Sequence, residues 1–268
     1  MKRAALAIVF LVVAAPALAD MSHIYADYLG YNGQAKNLYV QAPLLSGSWH
    51  QESINNVVAG LYTFRKEAPK APFGPDDYGD GVKIPTPLGD GKLHMLCVDV
   101  LDFVEDNNYA LVDAADVPNS VQQPMGEAKA TLLSRLWYNY YDTARFAGNK
   151  NYKAAFQLAA WEVVYEDYDD IGLSLTGDSD AGEGLEEGDF WVTNKYSGAE
   201  GIAEGWLAAI TASDYDVVNG GYTPLVGLEE TNTSGDKQDF VVPIPAPGAV
   251  VLGAMGLGLV GWVRRRLG

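Results

Sequence analysis

Residues 91–104, GKLHMLCVDVLDFV, constrain how this chain can fold, because they are largely apolar at both odd and even positions. Leu93, Met95 and Cys97 occupy odd positions, and Leu96 and Val98 occupy even ones. Successive side chains of a strand point to opposite faces, so both faces of this segment are apolar. We therefore predict a strand that is covered on both sides by other parts of the fold.

The residues before this strand have the composition of a β region. The runs KNLYVQA and GLYTFRK are rich in β-forming residues, and turn signals occur at Gly30, Asn32–Gly33 and Ser46–Gly47. We predict short strands separated by turns from Met21 to Phe64. Residues 67–91 are rich in Pro, Gly and Asp, which predicts a long surface loop.

The residues after this strand change to a helical period. Leu133, Leu136 and Tyr140 recur at helical spacing in residues 124–146, with Pro124 as a start signal and Gly148 as a stop. A second helix is predicted in NKNYKAAFQLAAWEVVYED, with Asn149 or Asn151 as N-cap. Its apolar stripe consists of Phe156, Ala159, Ala160, Val163 and Val164.

The order of elements predicts an α+β protein. SGAEGIAEGWLAAITA indicates a third helix, the Gly-rich acidic residues 173–189 indicate a loop, and FVVPIP indicates a last strand. We expect a β-sandwich or barrel that carries an inserted helical subdomain at about residues 124–212. The globular domain is expected to cover residues 20–240.

Both ends of the chain have the features of export signals. Residues 1–19 contain a basic start, an apolar run and the sequence Ala17-Leu18-Ala19, as in a secretory signal peptide with its cleavage site. Residues 241–268 contain a Pro-rich hinge and an uncharged segment, 248–263, that ends in three arginines. As a helix this segment would measure about 24 Å, so we predict a single membrane-spanning helix retained by its arginines, which an ordinary C-terminal anchor would also show.

The C-terminal segment resembles the PEP-CTERM sorting tail of Gram-negative bacteria. The matching residues are Pro243, Pro245 and the cluster Arg264, Arg265 and Arg266, with Ile244 at the position of the usual glutamate. The resemblance implies processing by an exosortase-type enzyme, a transient stay in the inner membrane through the C-terminal helix, and delivery to the cell surface or an extracellular matrix.

The charge of the chain excludes some partners. The formal net charge is −17, and the two terminal segments contain basic residues but no acidic ones, so the part between them is more acidic still. Such a protein is not expected to bind nucleic acid or an anionic membrane surface. Residues 178–189 are acidic but do not follow the EF-hand pattern. They leave a weak calcium site as an alternative to a solvated loop, and its candidate ligands are Asp178, Asp180, Glu183 and Asp189; otherwise no cofactor is expected.

Cys97 is the only cysteine, so it cannot form an internal disulfide. One interpretation is a small buried hydrophobic residue. A second is the nucleophile of a Cys-His hydrolase, but His94 would lie on the opposite face of a strand from Cys97. A third is an internal thioester, formed when the sulfur displaces ammonia from a glutamine amide.

Gln157 is the candidate partner for such a bond. The pairing of LCVDV with FQLAAWEVVYE, preceded by VVAGLYTF at residues 57–64, resembles the thioester domains of bacterial surface adhesins. The resemblance implies that Cys97 supplies the sulfur, that Gln157 supplies the acyl group, and that Trp161 and Phe156 enclose them. Asp99, which we place on the same strand face as Cys97, is our own candidate for assisting proton transfer.

These inferences lead to an expected function. The chain is expected to be a secreted, surface-sorted bacterial protein that attaches once, through a Cys97–Gln157 thioester, to amines or hydroxyls on a matrix polymer or surface protein. A single-use reaction of this kind is not enzymatic turnover. The alternatives are a non-reactive structural matrix or biofilm protein, and a calcium-dependent carbohydrate-binding module.

Overall fold

The computed structural model describes residues 23–43, 49–67, 92–101, 104, 106–118, 123–166, 190–193, 198–212, 221, 223–231 and 238–244. These residues form a mixed α+β fold with one large antiparallel sheet and three α-helices. The strands, in chain order, are β1 His23–Pro43, β2 Trp49–Glu67, β3 Lys92–Cys97, β4 Asn107–Asp113, β5 Phe190–Val192, β6 Leu225–Glu230 and β7 Phe240–Pro243. The helices are α1 Gly126–Phe146, α2 Lys150–Tyr165 and α3 Ala199–Thr211.

The predicted order of strands, then helices, then strands is confirmed, with one addition. The short strand β5 lies between α2 and α3 and pairs with β1, directly after the residues predicted to be loop. The last predicted strand is β7, which begins at residue 240 and runs to Pro243.

The strand order within the sheet is β2-β3-β7-β6-β4-β1-β5, and β1 also pairs with β2. The first residues of β1, His23–Ala26, pair with β4, and β1 pairs with β2 from Tyr25 to Pro43. The hydrogen-bonded series of strands therefore returns to its own beginning.

The prediction of several short strands before residue 64 was wrong. Gly30, Asn32 and Gly33 lie inside β1, which is one strand of 21 residues. Gly30 adopts φ +127 at a bulge rather than a turn. Gly33 pairs with Gly60 of β2, where the two backbones approach so closely that neither position has space for a side chain. The glycines thus permit distortions within a continuous strand.

The three predicted helices are confirmed, and in the structure they span Gly126–Phe146, Lys150–Tyr165 and Ala199–Thr211. Asn149 is the N-cap of α2, and its side chain accepts a hydrogen bond from the Asn151 N–H. The helix differs from the predicted single apolar stripe, since every residue from Lys153 to Tyr165 is buried. α2 packs against α1, α3 and strands β1, β2, β3 and β5, and so it forms the centre of the core.

Candidate functional site

The end of β3 and the middle of α2 meet at Cys97 and Gln157. Cys97 is the last residue of β3 and pairs with Phe240 of β7. The Gln157 side chain places its amide against the Cys97 backbone: the Cys97 N–H donates to Gln157 Oε1 at 3.2 Å, and Gln157 Nε2 donates to the Cys97 carbonyl at 2.7 Å. Neither residue is exposed to solvent.

This pair of hydrogen bonds orients the amide of Gln157. A buried amide without partners would cost about 1–3 kcal/mol, so the two bonds hold the group where β3 ends. The N–H of Cys97 also polarises the amide carbonyl. A backbone donor at this position would stabilise negative charge on Oε1 during attack at the amide carbon.

The sulfur of Cys97 makes a separate contact. Sγ donates to the Asp99 main-chain carbonyl at 3.0 Å. Burial raises the pKa of the thiol well above its ordinary value, and the charge of Asp99 raises it further. The Trp161 indole and the hydrogen bond to the Asp99 backbone act in the opposite direction, and Asp239 adds to the increase. The free thiol is therefore neutral at physiological pH.

Trp161 and Phe156, the two predicted enclosing residues, occupy different parts of the core. Trp161 is fully buried, and its ring packs against Phe190. Its indole N–H lowers the pKa of the Cys97 thiol, although it forms no hydrogen bond among the described residues. Phe156 is also fully buried, but its aromatic neighbours are Trp137, Tyr141 and Trp206 of α1 and α3. The described ring contacts of Phe156 therefore lie on the side of the helices.

The placement of Asp99 on the β3 strand was wrong, because β3 ends at Cys97. The Asp99 carboxylate accepts a hydrogen bond from the Leu101 N–H at 3.1 Å, a local turn that competes with continuation of the strand. Asp99 remains close to the sulfur through its main-chain carbonyl, and its side chain is 1% exposed.

Three residues around Cys97 were not predicted from the sequence. Tyr165 accepts a hydrogen bond through its hydroxyl from the Val100 N–H at 2.8 Å. Gln157, Trp161 and Tyr165 are spaced by four, so they lie along one face of α2, and this spacing could have identified Tyr165. Tyr62 and Asp239 interact electrostatically with the thiol from β2 and from the residue before β7. No local pattern identifies them, because strand pairing brings them there.

The His94 side chain has its described contacts with Tyr141 rather than with Cys97. Its Nδ1 lies 3.1 Å from the Tyr141 hydroxyl, and its ring packs edge-on against that ring. Burial, assisted by the positive charges of Arg145 and Lys153, lowers the pKa of His94 to about 4. The described contacts of His94 are thus with α1, which gives the hydrolase interpretation no support.

The remaining predicted sites lie largely outside the described residues. Asp178, Asp180, Glu183 and Asp189 are outside them, as are residues 1–19, Pro245, the 248–263 segment and Arg264–Arg266. In the described part of the chain, no group of three or more His, Cys, Asp or Glu side chains is placed to hold a metal ion. None of the described helices is long and apolar enough to cross a membrane.

Comparisons with known protein families, with curated proteins and with solved structures gave no match to this chain.

Proposed function

We propose that this protein is a surface-directed bacterial attachment protein whose Cys97 and Gln157 form an internal thioester. The observation that carries the proposal is the pair of hydrogen bonds that hold the Gln157 amide against Cys97 in a site buried from solvent. A reactive acyl bond needs this combination, since its parts must be aligned and water must be kept away.

Formation of the thioester proceeds within the chain. Sγ of Cys97 leaves the Asp99 carbonyl and attacks the amide carbon of Gln157 while negative charge develops on Oε1, next to the Cys97 N–H. The thiol proton passes to Nε2, the carbon–nitrogen bond breaks, and ammonia departs. Because the thiol has a raised pKa, a proton acceptor favours the attack, and the buried carboxylates of Asp99 and Asp239 are candidates.

Attachment is a second acyl transfer, in which an external nucleophile opens the thioester. An amine or hydroxyl of a matrix polymer or surface protein attacks the acyl carbon, the carbon–sulfur bond breaks, and the nucleophile's proton passes to the sulfur. The products are an amide or ester at Gln157 and a free Cys97 thiol. The reaction consumes the bond, so each molecule acts once and is not an enzyme.

The location follows from the two ends of the sequence. We propose export across the inner membrane by the signal peptide, transient anchoring by residues 248–263, and processing by an exosortase-type enzyme before release to the surface or matrix. The Pro-rich motif and the terminal arginines support this route. The additional pairing of β1 with β2 connects both ends of the strand series, which supports a barrel rather than a sandwich as the fold of the exported domain.

A non-reactive structural matrix protein is the second candidate. The same two hydrogen bonds would satisfy a buried glutamine and fix the end of β3 without any chemistry. Methylamine separates the two candidates, because it is a small amine that opens thioesters. We expect one methylamine to be added to the mature protein at Gln157, located by peptide mass mapping, and none to the Cys97→Ala variant. Equal lack of labelling in both proteins, with Gln157 recovered as an amide, would favour the structural role.

The calcium-dependent carbohydrate module is the third candidate, and its predicted ligands lie outside the described residues. Binding to a surface polymer that disappears with a chelator but persists in Cys97→Ala would favour it over the thioester.

A further inference from the structure

Two β-bulges shape the surface of β1 and β2 beside the Cys97 strand. The pairing shifts by one residue between Tyr28 and Gly30, where Gly30 has φ +127. Residues three apart on a regular strand point to opposite faces, but this bulge restores Tyr28 and Tyr31 to the same side. Gly30 provides the backbone conformation that the bulge requires.

The second bulge lies opposite the first part of β2. The pairing shifts between Lys36 and Leu38, which leaves Asn55 and Asn56 unpaired on β2. Asn56 has φ 61, and its N–H bonds to the Asn37 side chain at 3.1 Å. Bulges commonly redirect side chains next to binding sites, and this one presents two amides to the same cavity as the tyrosines.

The resulting cavity, which we name the tyrosine groove, has a volume of about 280 Å³. Its lining includes Tyr28, Tyr31, Asn55, Asn56 and Gln238, and the described residues that line it include no charged side chain. The volume lies just below the range for small-ligand sites, about 300–1,000 Å³.

Two residues that line the groove each have a buried polar atom without a hydrogen-bond partner among the described residues. These atoms are the Tyr28 hydroxyl and Gln238 Oε1, and Gln238 is only 5% exposed. Buried polar groups normally have partners, so these two atoms indicate a ligand that brings its own donors. Together with Asn55 and Asn56, they give the groove a mixed set of donors and acceptors.

The groove adjoins the candidate thioester. Tyr62 lines it, donates its hydroxyl to Val58, and interacts electrostatically with Cys97. Val100 also lines the groove, and it follows Asp99, whose carbonyl accepts a hydrogen bond from the Cys97 thiol.

We propose that the tyrosine groove binds a neutral glycan, independently of calcium. Sugar rings have apolar C–H faces that stack on tyrosine and hydroxyls that donate to groups such as Gln238 Oε1. A charged ligand would lose water in a groove whose described lining offers no opposite charge. Tyr31, which is 58% exposed, supplies the accessible ring. Binding does not depend on the thioester, although a bound glycan would place hydroxyls near the bond proposed above.

The test uses the mature Cys97→Ala protein, so that covalent capture cannot contribute. The probes are immobilised neutral oligomers of glucose, galactose, mannose and N-acetylglucosamine, with EDTA present throughout. We expect binding to at least one of them, and a loss of affinity of at least tenfold in Tyr31→Ala and in Asn55→Ala, both exposed positions. The matched control is Tyr138→Ala on α1, where the tyrosine is 55% exposed, and it should bind as the parent does.

Several results would overturn the glycan proposal. These are no binding to any of the four probes, binding that only calcium restores, preferential binding of cationic peptides, and equal affinity in Tyr31→Ala and Tyr138→Ala. Because every protein in the test lacks the Cys97 thiol, such a failure would leave the thioester standing. Failure of methylamine labelling would likewise leave the groove standing.

Discussion

Cys97 and Gln157 are 60 residues apart in sequence, yet the side-chain amide of one forms both of its described hydrogen bonds with the backbone of the other. The contact does not use the cysteine side chain, because Sγ bonds to Asp99. The two roles of this pair therefore need different atoms. The backbone at position 97 can hold Gln157 with any residue except proline, whereas the thioester needs the sulfur of Cys97.

This division predicts unequal effects on stability for two substitutions. Gln157→Leu removes both hydrogen bonds and leaves a buried N–H and C=O at residue 97 without partners, so we expect a loss of about 1–3 kcal/mol or more in the free energy of unfolding. Cys97→Ala keeps both bonds and should cost less. Urea unfolding of the two variants measures the difference. A larger loss in Cys97→Ala would show that the backbone contact contributes little.

The close approach of β1 and β2 predicts a strong effect at Gly60. A Cβ added there would lie 2.5 Å from Gly33 Cα and 2.6 Å from the Asn32 carbonyl oxygen, both backbone atoms. We expect Gly60→Ala to lower the free energy of unfolding by about 1–3 kcal/mol or more. Gly205→Ala is the matched control, since this exposed glycine of α3 has no atom near the added Cβ and alanine favours helix. Equal stability of the two variants would contradict the described register.

His94 predicts a dependence of stability on pH. Burial lowers its pKa from 6.5 to about 4, so the folded protein resists a proton that the unfolded chain accepts. The contribution of neutral His94 to the free energy of unfolding is fully present above pH 6.5 and is lost as the pH falls to about 4. The free energy of unfolding should therefore decrease across this interval, and less so in His94→Gln. Parallel pH profiles of the two proteins would refute the assignment.

We expect Lys36 of β1 and Glu200 of α3 to be coupled in their effects on stability. They form a salt bridge and a hydrogen bond, with Lys36 2% and Glu200 12% exposed. Loss of one partner leaves a charge in the interior, so we expect Glu200→Leu to cost about 3–5 kcal/mol and Lys36→Met/Glu200→Leu to cost less. A double-mutant cycle from denaturant unfolding measures the coupling. Strict additivity would mean that the bridge contributes nothing to stability.

The local signals of the sequence identified the helices but not the strands' lengths. α2 was predictable because Asn149 caps it and its apolar residues recur at helical spacing. β1 was not, because Gly30 and Gly33 are turn signals in isolation, and only pairing with β2 shows that they accommodate a bulge and a close crossing. The pairing of strands is a long-range property that a local pattern does not contain.

The same distinction applies to the candidate site. Spacing by four along α2 connects Gln157 with Trp161, but the partnership with Cys97 came from a resemblance rather than from periodicity. Asp99 was misplaced because the turn made by its carboxylate ends the strand early. Tyr62 and Asp239 are close enough to the thiol to interact with it electrostatically because of the strand order of the sheet.

Thiol labelling of the native protein does not decide the central question, because a fully buried Cys97 would resist the reagent even as a free thiol. The intact mass of the purified mature protein does, with Cys97→Ala as the control. The account predicts that the wild-type mass is lower than the mass calculated from its sequence by one ammonia and that the variant shows no such deficit. A wild-type protein at its full calculated mass, with a thiol that reacts quantitatively once the chain is unfolded in acid, would contradict the thioester.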